Sequence, residues 1–102
     1  MPKKIVVSGL QPSGKLHIGN YLGMVKNAKA IQDNKDYKTF YFLADYHSLT
    51  QRYEPREKRK EILELAADLL AAGIDPKKSV IFAQSHITEH ANLAWIFNTI
   101  TS

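Results

Sequence analysis

The chain has 102 residues, of which 44% are hydrophobic and 24% charged, and both values are ordinary for a soluble globular domain. It has no cysteine, which excludes disulfides and thiolate metal sites, and it has neither a run of ~20 apolar residues nor a secretory signal, so we expect a cytoplasmic protein without membrane contact. The net charge of +4 is compatible with a polyanionic partner such as RNA but does not require one.

Three short apolar runs predict β-strands. They are residues 4–8, 39–44 and 79–83. Their successive β-branched and aromatic residues are typical of parallel strands buried on both faces. We expect Gly9 to end the first strand.

The segments between and after these strands have helical periodicity. The first helix is expected over about 17–32, the second over 57–72 with Pro55 in its first turn, and the last from a capping Thr88 to Ile100. Residues 48–53 are expected to form a loop. The residues predicted to face the core are Leu22, Val25, Ala28, Ile31, Ile62, Leu65, Leu69, Leu70 and Trp95.

The predicted order β-α-β-α-β-α indicates an α/β fold. Right-handed crossovers would give three parallel strands in the order 3-2-1 with flanking helices on both faces. This is the first half of a Rossmann-like, doubly wound parallel sheet, in which a ligand binds at the carboxyl ends of the strands. We therefore expect residues 1–102 to be the N-terminal part of a nucleotide-binding catalytic domain, with the remainder beyond Ser102, or with another chain covering the edge of the first strand.

The segment 12–20, Pro-Ser-Gly-Lys-Leu-His-Ile-Gly-Asn, is the strongest functional signal. A turn of Pro, Ser and Gly after a first strand brings backbone N–H groups to a helix N-terminus, where phosphates bind in α/β proteins. His17 and Asn20 share a helical face there and could both donate to a phosphate. Gly19 costs about 1 kcal/mol in a helix relative to Ala; either a ligand close to the backbone or close helix–strand packing would explain it.

Two motifs resemble other sites. Residues 9–15 match the P-loop spacing GxxxxGK, but Leu16 stands where the P-loop needs a hydroxyl for Mg²⁺. Residues 86–90 match the zinc-protease spacing HxxEH, which requires one continuous helix, whereas here the segment directly follows a strand. We expect no metal site. A P-loop-like nucleotide-binding module, or a non-catalytic module that binds RNA or a partner, remains open as an alternative.

Asp45 and His47 follow the second predicted strand, on the same rim as the first loop. They are equally compatible with a substrate pocket and with an ordinary capping Asp beside a surface His.

Residues 12–20 resemble the signature Pro-x-x-x-x-His-Ile-Gly-His of class I aminoacyl-tRNA synthetases, with Asn20 in the last place. The bacterial tryptophanyl branch of this family is similar over essentially the whole chain. The strings that carry the likeness are Ser-Gly-Leu-Gln-Pro-Ser-Gly (8–14), Gly-Asn-Tyr (19–21), Ala-Asp-Tyr-His (44–47), Gly-Ile-Asp-Pro (73–76), Gln-Ser-His (84–86) and Glu-His-Ala (89–91). The resemblance is to the amino-terminal third of these enzymes.

By that resemblance, the tryptophan carboxylate attacks the α-phosphate of Mg²⁺-bound ATP, which is a substrate, and the activated acyl group then moves to tRNA(Trp). The site residues implied are Gln11, Pro12, Ser13, Gly19 and Asn20 for ATP, His17 and Asn20 as catalytic residues on the phosphate oxygens, and Val7, Gly9 and His47 for tryptophan. The family is homodimeric. Its lysine-rich loop for pyrophosphate is absent here, so this chain alone is expected to be poorly active. A tyrosyl-tRNA synthetase or another nucleotidyltransferase of the superfamily remains an alternative.

Overall fold

The computed structural model describes residues 2–12 and 14–102. The strands are β1 (Lys4–Leu10), β2 (Tyr37–Leu43) and β3 (Ser79–Ala83). The helices are α1 (Ile18–Asn20), α2 (Lys26–Gln32), α3 (Asp45–Ser48), α4 (Pro55–Ala71) and α5 (Thr88–Ile100), with a π-helical segment at Tyr21–Val25 and a 3₁₀ turn at Gln84–His86.

The three strands form one parallel sheet with β2 in the centre. Lys4 pairs with Tyr37 at one end of the β1–β2 ladder and Leu10 with Leu43 at the other, while Ser79 of β3 pairs with Thr39. The strand order is therefore β1-β2-β3, which confirms the predicted order. All three strands end at the same edge of the sheet, so the segments that follow them share one rim.

The hydrophobic core lies on one face of the sheet, where α2 and α4 pack. Its buried members are Val25, Ala28, Tyr41, Leu43, Leu65, Leu69 and Ile74. One buried polar contact joins α2 to the sheet, and another joins β2 to β3 within the sheet. The Tyr41 hydroxyl donates to the Ala28 carbonyl at 2.8 Å, and the hydroxyls of Thr39 and Ser79 lie 2.7 Å apart.

The opposite face of the sheet is open among the described residues. Ile5 and Val7 on β1 are 68% and 59% exposed. The α5 helix reaches this side where the rings of Phe82 and His90 lie 6.2 Å apart, yet all its residues are exposed and Trp95 is 71% exposed. In the described residues, helices therefore bury only one face of the sheet, whereas coverage of both faces was predicted. The prediction that Trp95 lies in the core is wrong, because nothing in the described chain packs over it.

The β1 strand continues through Gly9 to Leu10, so the prediction that Gly9 ends it is wrong. Gly9 pairs with Phe42 across the ladder. A Cβ atom at Gly9 would lie 2.4 Å from Cζ of the Phe42 ring. Glycine is used here because a neighbouring aromatic ring occupies the space of a side chain, not because the chain turns.

Three local predictions also differ from the structure. Thr88 is the first residue of α5 and makes no side-chain cap. Leu70 is exposed although its periodicity points inward, and Leu22 is exposed at the start of the predicted apolar stripe. The α3 helix (Asp45–Ser48) lies between the second predicted strand and the predicted loop 48–53, where no helix was predicted, and it overlaps that loop only at Ser48. No helix of the described residues combines the length and apolar composition that a membrane crossing requires.

Tyr41→Phe is expected to lower the free energy of unfolding by about 1 kcal/mol at pH 7, because the hydrogen bond to Ala28 is lost. Burial raises the pKa of the Tyr41 hydroxyl above its ordinary value. The unfolded chain therefore ionises first, and the wild-type protein loses stability as the pH rises above about 10, through the folded-state pKa. Urea unfolding at pH 7, 9.5 and 11 measures both effects. A phenylalanine variant that lost stability above pH 10 as steeply as the wild type would contradict this assignment.

Candidate functional site

His17 and Asn20 form a reciprocal cap at the start of α1. The His17 Nδ1 atom accepts from the backbone N–H groups of Gly19 at 3.1 Å and Asn20 at 3.3 Å. In return, the Asn20 side-chain oxygen accepts from the His17 backbone N–H at 3.2 Å. This is the capping-box arrangement with histidine as the N-cap residue. Its effect is to hold both side chains in one orientation at the rim of the sheet.

The cap determines which groups remain for a ligand. Because Nδ1 of His17 accepts two hydrogen bonds, the neutral ring carries its proton on Nε2, which is left as a donor. The Asn20 amide nitrogen is likewise left with its donors. The backbone N–H groups of His17, Gly19 and Asn20 are engaged within the cap. At these three positions the helix-start amides are thus already hydrogen-bonded, and the donors left are those of the side chains.

Gly19 is explained by the same cap. A Cβ atom at this position would lie 3.0 Å from both Cε1 and Nδ1 of the His17 ring. Gly19 itself is exposed. A Cβ atom at Gly23, one turn further on, would have no neighbouring atom within 4 Å. Of the two alternatives given for Gly19, close helix–strand packing is therefore not found. Glycine admits the imidazole against the backbone, and only the position of that ring could reveal this.

A small cavity of about 70 Å³ lies beside the cap. It is lined by Leu10, Gln11, Gly14, Lys15, Leu16, His17, Asn20 and Leu65. The structure thus brings together Gln11 and Asn20, two of the residues predicted for ATP, and His17, which was predicted with Asn20 as a catalytic residue. The volume suits a phosphate-sized group and is much smaller than the ~300 Å³ or more of pockets that enclose whole ligands.

Gln11, one of the residues that line this cavity, carries an unsatisfied donor. Its side-chain nitrogen is buried and has no hydrogen-bond partner within residues 2–12 and 14–102. Buried polar atoms without partners are rare, and an acceptor group of a ligand is one way to satisfy them. Pro12, the next predicted ATP residue, is fully buried. Ser13, also predicted for ATP, lies outside the described residues.

Two side chains of α4 reach the loop that precedes the cap. Lys58 donates to the Pro12 carbonyl at 3.4 Å, and Asp68 accepts from the Leu16 backbone N–H at 3.3 Å. Sequence reasoning missed both because a run rich in Lys and Glu resembles a solvated helix face. The available signal was their spacing, which places them on the same helical stripe as Leu65.

The residues predicted for tryptophan lie in two places. Val7 and Gly9 are on the open face of the sheet, where Gly9 lies against Phe42. His47 is exposed in α3, the helix that directly follows β2. Their common role in a tryptophan pocket stays a prediction.

Asp45 has a structural role that the sequence left open. It is buried, and its Oδ1 atom accepts from the backbone N–H groups of Tyr46 and Ser85, both at 3.0 Å. One carboxylate therefore joins the segment after β2 to the segment after β3. This favours the capping alternative over a substrate contact.

The two look-alike motifs do not form their sites. Lys15 is exposed and α1 begins three residues later, whereas a P-loop lysine enters the helix directly. Ile87 interrupts the helix between His86 and the pair Glu89 and His90. Across the described ranges, no group of three His, Asp or Glu side chains is arranged to hold a metal ion.

The comparison with protein families decides the assignment. The family described as tRNA synthetases, class I (W and Y), matches residues 2–102. The chain belongs to this family. Within it, the tryptophan–tRNA ligase of Rickettsia bellii is 50% identical over 99 residues, and that of Caldanaerobacter subterraneus is 50% identical over 98. These matches cover 97% and 96% of this chain but only 30% and 29% of the relatives. The chain thus spans about a third of the length of these class I synthetases.

Solved structures of the family share the fold. Tryptophanyl-tRNA synthetase from Campylobacter jejuni superposes with a TM-score of 0.86 at 40% identity, over 98% of this chain and 31% of that one. The same synthetase, complexed with ADP and tryptophan, gives 0.87 at 41% identity, over 96% of this chain and 30% of that one. Tyrosyl-tRNA synthetase from Leishmania major, in complex with tyrosinol, gives 0.73 at 26% identity, over 92% and 14%. The three-stranded parallel sheet with its flanking helices is therefore the Rossmann-like fold of these synthetases.

Proposed function

We propose that this chain is the N-terminal, ATP-binding part of a tryptophan–tRNA ligase. In that reaction, a tryptophan carboxylate oxygen attacks the α-phosphorus of ATP and pyrophosphate leaves. The acyl group of the resulting tryptophanyl-adenylate is then transferred to tRNA(Trp), and AMP leaves. The identity of about 50% to two tryptophan–tRNA ligases supports this specificity. The observation that carries the proposal is the cap, which leaves His17 Nε2 and the Asn20 amide as donors. Both residues line a cavity together with Gln11, whose buried side-chain nitrogen has no partner among the described residues.

The three donors suit a phosphate whose negative charge grows during the reaction. His17 Nε2–H and the amides of Asn20 and Gln11 would hold phosphate oxygens, and the cap would keep the first two from reorganising as charge develops. None of these groups needs to form a covalent bond to substrate. Catalysis would come from positioning and charge stabilisation.

The tryptophan pocket is proposed on the open face of the sheet, beside the rim where His47 lies. Val7 and Gly9 present an exposed, apolar surface next to the Phe42 ring, which suits an indole side chain. His47 would contribute from α3. Mg²⁺ accompanying ATP, tRNA(Trp), a homodimer of the full-length enzyme and a cytoplasmic location complete the proposal.

A titration of ¹⁵N-labelled protein with Mg·ATP tests the ATP site. We expect the largest amide shifts at His17, Gly19 and Asn20. His17→Asn retains a good capping side chain but lacks the distal ring donor, so its dissociation constant for ATP should rise about tenfold, equivalent to ~1.4 kcal/mol, while the fold is unchanged. His86→Ala removes an exposed histidine from the 3₁₀ turn and should bind as the wild type does.

Two outcomes would contradict the proposal. One is a well-dispersed spectrum with no shift at any ATP concentration. The other is equal affinity in the wild type and His17→Asn. Shifts centred on Gly14 and Lys15 and unaffected by His17→Asn would instead favour a P-loop-like mode of binding.

A further inference from the structure

One stripe of α4 faces the loop that leads from β1 to the cap. Lys58, Glu61, Leu65 and Asp68 are spaced three, four and three residues apart, so they lie on one side of the helix. Leu65 is buried and lines the same cavity as His17 and Asn20. The residues on either side of it in this stripe are charged.

The charged residues hold the two ends of the loop. Asp68 accepts from the Leu16 backbone N–H through Oδ2 at 3.3 Å, across 52 positions of sequence. Lys58 donates to the Pro12 carbonyl at 3.4 Å, across 46 positions. The Lys58 ammonium also pairs with Glu61 at 2.8 Å and lies 5.4 Å from the Tyr53 ring centroid, and its side chain is only 14% exposed. The Lys58 side chain is therefore held by Glu61 and Tyr53 in addition to its contact with the loop.

The described ends of the loop are therefore both held by α4. We call these two contacts, at the Pro12 carbonyl and at the Leu16 backbone N–H, the anchors of the loop. Gly14 and Lys15, which lie between them in sequence, form a bend.

Each anchor adjoins one of the proposed ligand donors. Leu16 directly precedes the capping residue His17, and Pro12 directly follows Gln11. Loss of either contact would change the distance between the Gln11 amide and the His17 ring. That distance determines whether both can reach one phosphate.

We propose that Asp68 and Lys58 are positioning residues that fix this loop, and with it the spacing of Gln11 and His17 for the nucleotide. This inference rests on the proposed function, since it specifies how the same site is kept in register. Neither side chain needs to touch the nucleotide. Leu65 fills the space between the two anchors.

The test combines amide exchange with ATP binding. In Asp68→Ala, the Leu16 amide should exchange with deuterium at least about tenfold faster, while protection across β2 stays as in the wild type. Asp68→Asn keeps an acceptor oxygen and should restore most of that protection. Both Asp68→Ala and Lys58→Met should raise the dissociation constant for Mg·ATP about five- to tenfold. Lys60→Met is the matched control. Lys60 is on the same helix, its side chain is 76% exposed, and its ion pair with Glu64 is long, at 3.8 Å.

The outcomes separate this inference from the proposed function. Unchanged Leu16 exchange in Asp68→Ala, or lost protection with unchanged ATP affinity, would overturn the positioning role. Equal weakening by Lys60→Met would overturn it as well, since a general charge effect would suffice. If the wild type does not bind Mg·ATP, the proposed function fails, and Leu16 exchange alone then decides whether Asp68 restrains the loop. Lys58→Met tests the second anchor independently if Asp68→Ala does not fold.

Discussion

Leu69→Ala is expected to lower the free energy of unfolding by about 2–5 kcal/mol, the range for removing a large buried side chain from a packed core. Leu69 is 1% exposed and belongs to the cluster that joins α4 to the sheet. A domain of this size has only about 5–15 kcal/mol of stability in total. The variant should therefore unfold at much lower urea concentration, with a similar dependence on denaturant.

Leu70→Ala is the matched control. Leu70 is adjacent in the same helix, carries the same side chain and is 48% exposed. Its replacement should change the free energy of unfolding by no more than about 0.5 kcal/mol. An equal loss of unfolding free energy in the two variants would mean that Leu69 is not on the face of α4 that packs against the sheet. Leu69→Met, which preserves volume, provides a measurable value if the alanine variant does not fold.

Asp45→Ala is expected to cost about 2–4 kcal/mol. The carboxylate accepts two backbone N–H groups, from Tyr46 and Ser85, and hydrogen bonds to charged groups contribute about 1.5–3 kcal/mol each. Its removal leaves both donors without this partner and separates the segments after β2 and β3. Urea unfolding measures the loss, and the Ser85 amide should lose protection from hydrogen exchange.

His47→Ala and Asp45→Asn are the controls for this prediction. His47 lies in the same short helix with an exposed side chain, so its replacement should leave stability within about 0.5 kcal/mol. Asp45→Asn retains one acceptor oxygen and should lose less than the alanine variant. If Asp45→Ala were as stable as the wild type, the carboxylate would not be a bridge, and the alternative of a substrate contact would return.

These two predictions concern the scaffold that holds the candidate site. Leu69 fixes α4 against the sheet, and α4 carries both anchors of the loop before His17. Asp45 fixes the rim on the other side, where β2 and β3 end. Stability and nucleotide binding are therefore expected to be linked, and ATP affinities should be compared only between variants of similar fold.

Much of the fold followed from local patterns. The apolar runs located all three strands, and the bounds of β3 were predicted to the residue. The alternation of strand and helix was sufficient for the parallel order, because right-handed crossovers leave few other topologies. The segment from Pro12 to Asn20 indicated a nucleotide site because its residue types occur together at one strand-to-helix turn.

The wrong predictions about core residues and glycines have a common cause. Trp95 and Leu70 are apolar residues at helical spacing, and periodicity indicates a face without indicating what covers it. Gly9 and Gly19 are glycines because the rings of Phe42 and His17 occupy the space of a side chain. Such neighbours belong to other elements or to a particular rotamer, and a sequence pattern does not contain them.

The sequence by itself determined the family, the order of strands and the meeting of Gln11, His17 and Asn20 at one strand-to-helix turn, because these depend on residue type and on spacing over a few positions. The tertiary structure decided which donors stay available. His17 turns Nδ1 to the backbone N–H groups of Gly19 and Asn20 and leaves Nε2 as a donor. Asp45 reaches Ser85 across 40 positions, and Asp68 reaches Leu16 across 52. Hydrogen bonds between groups so far apart in sequence form only when the packing of the core brings the elements together.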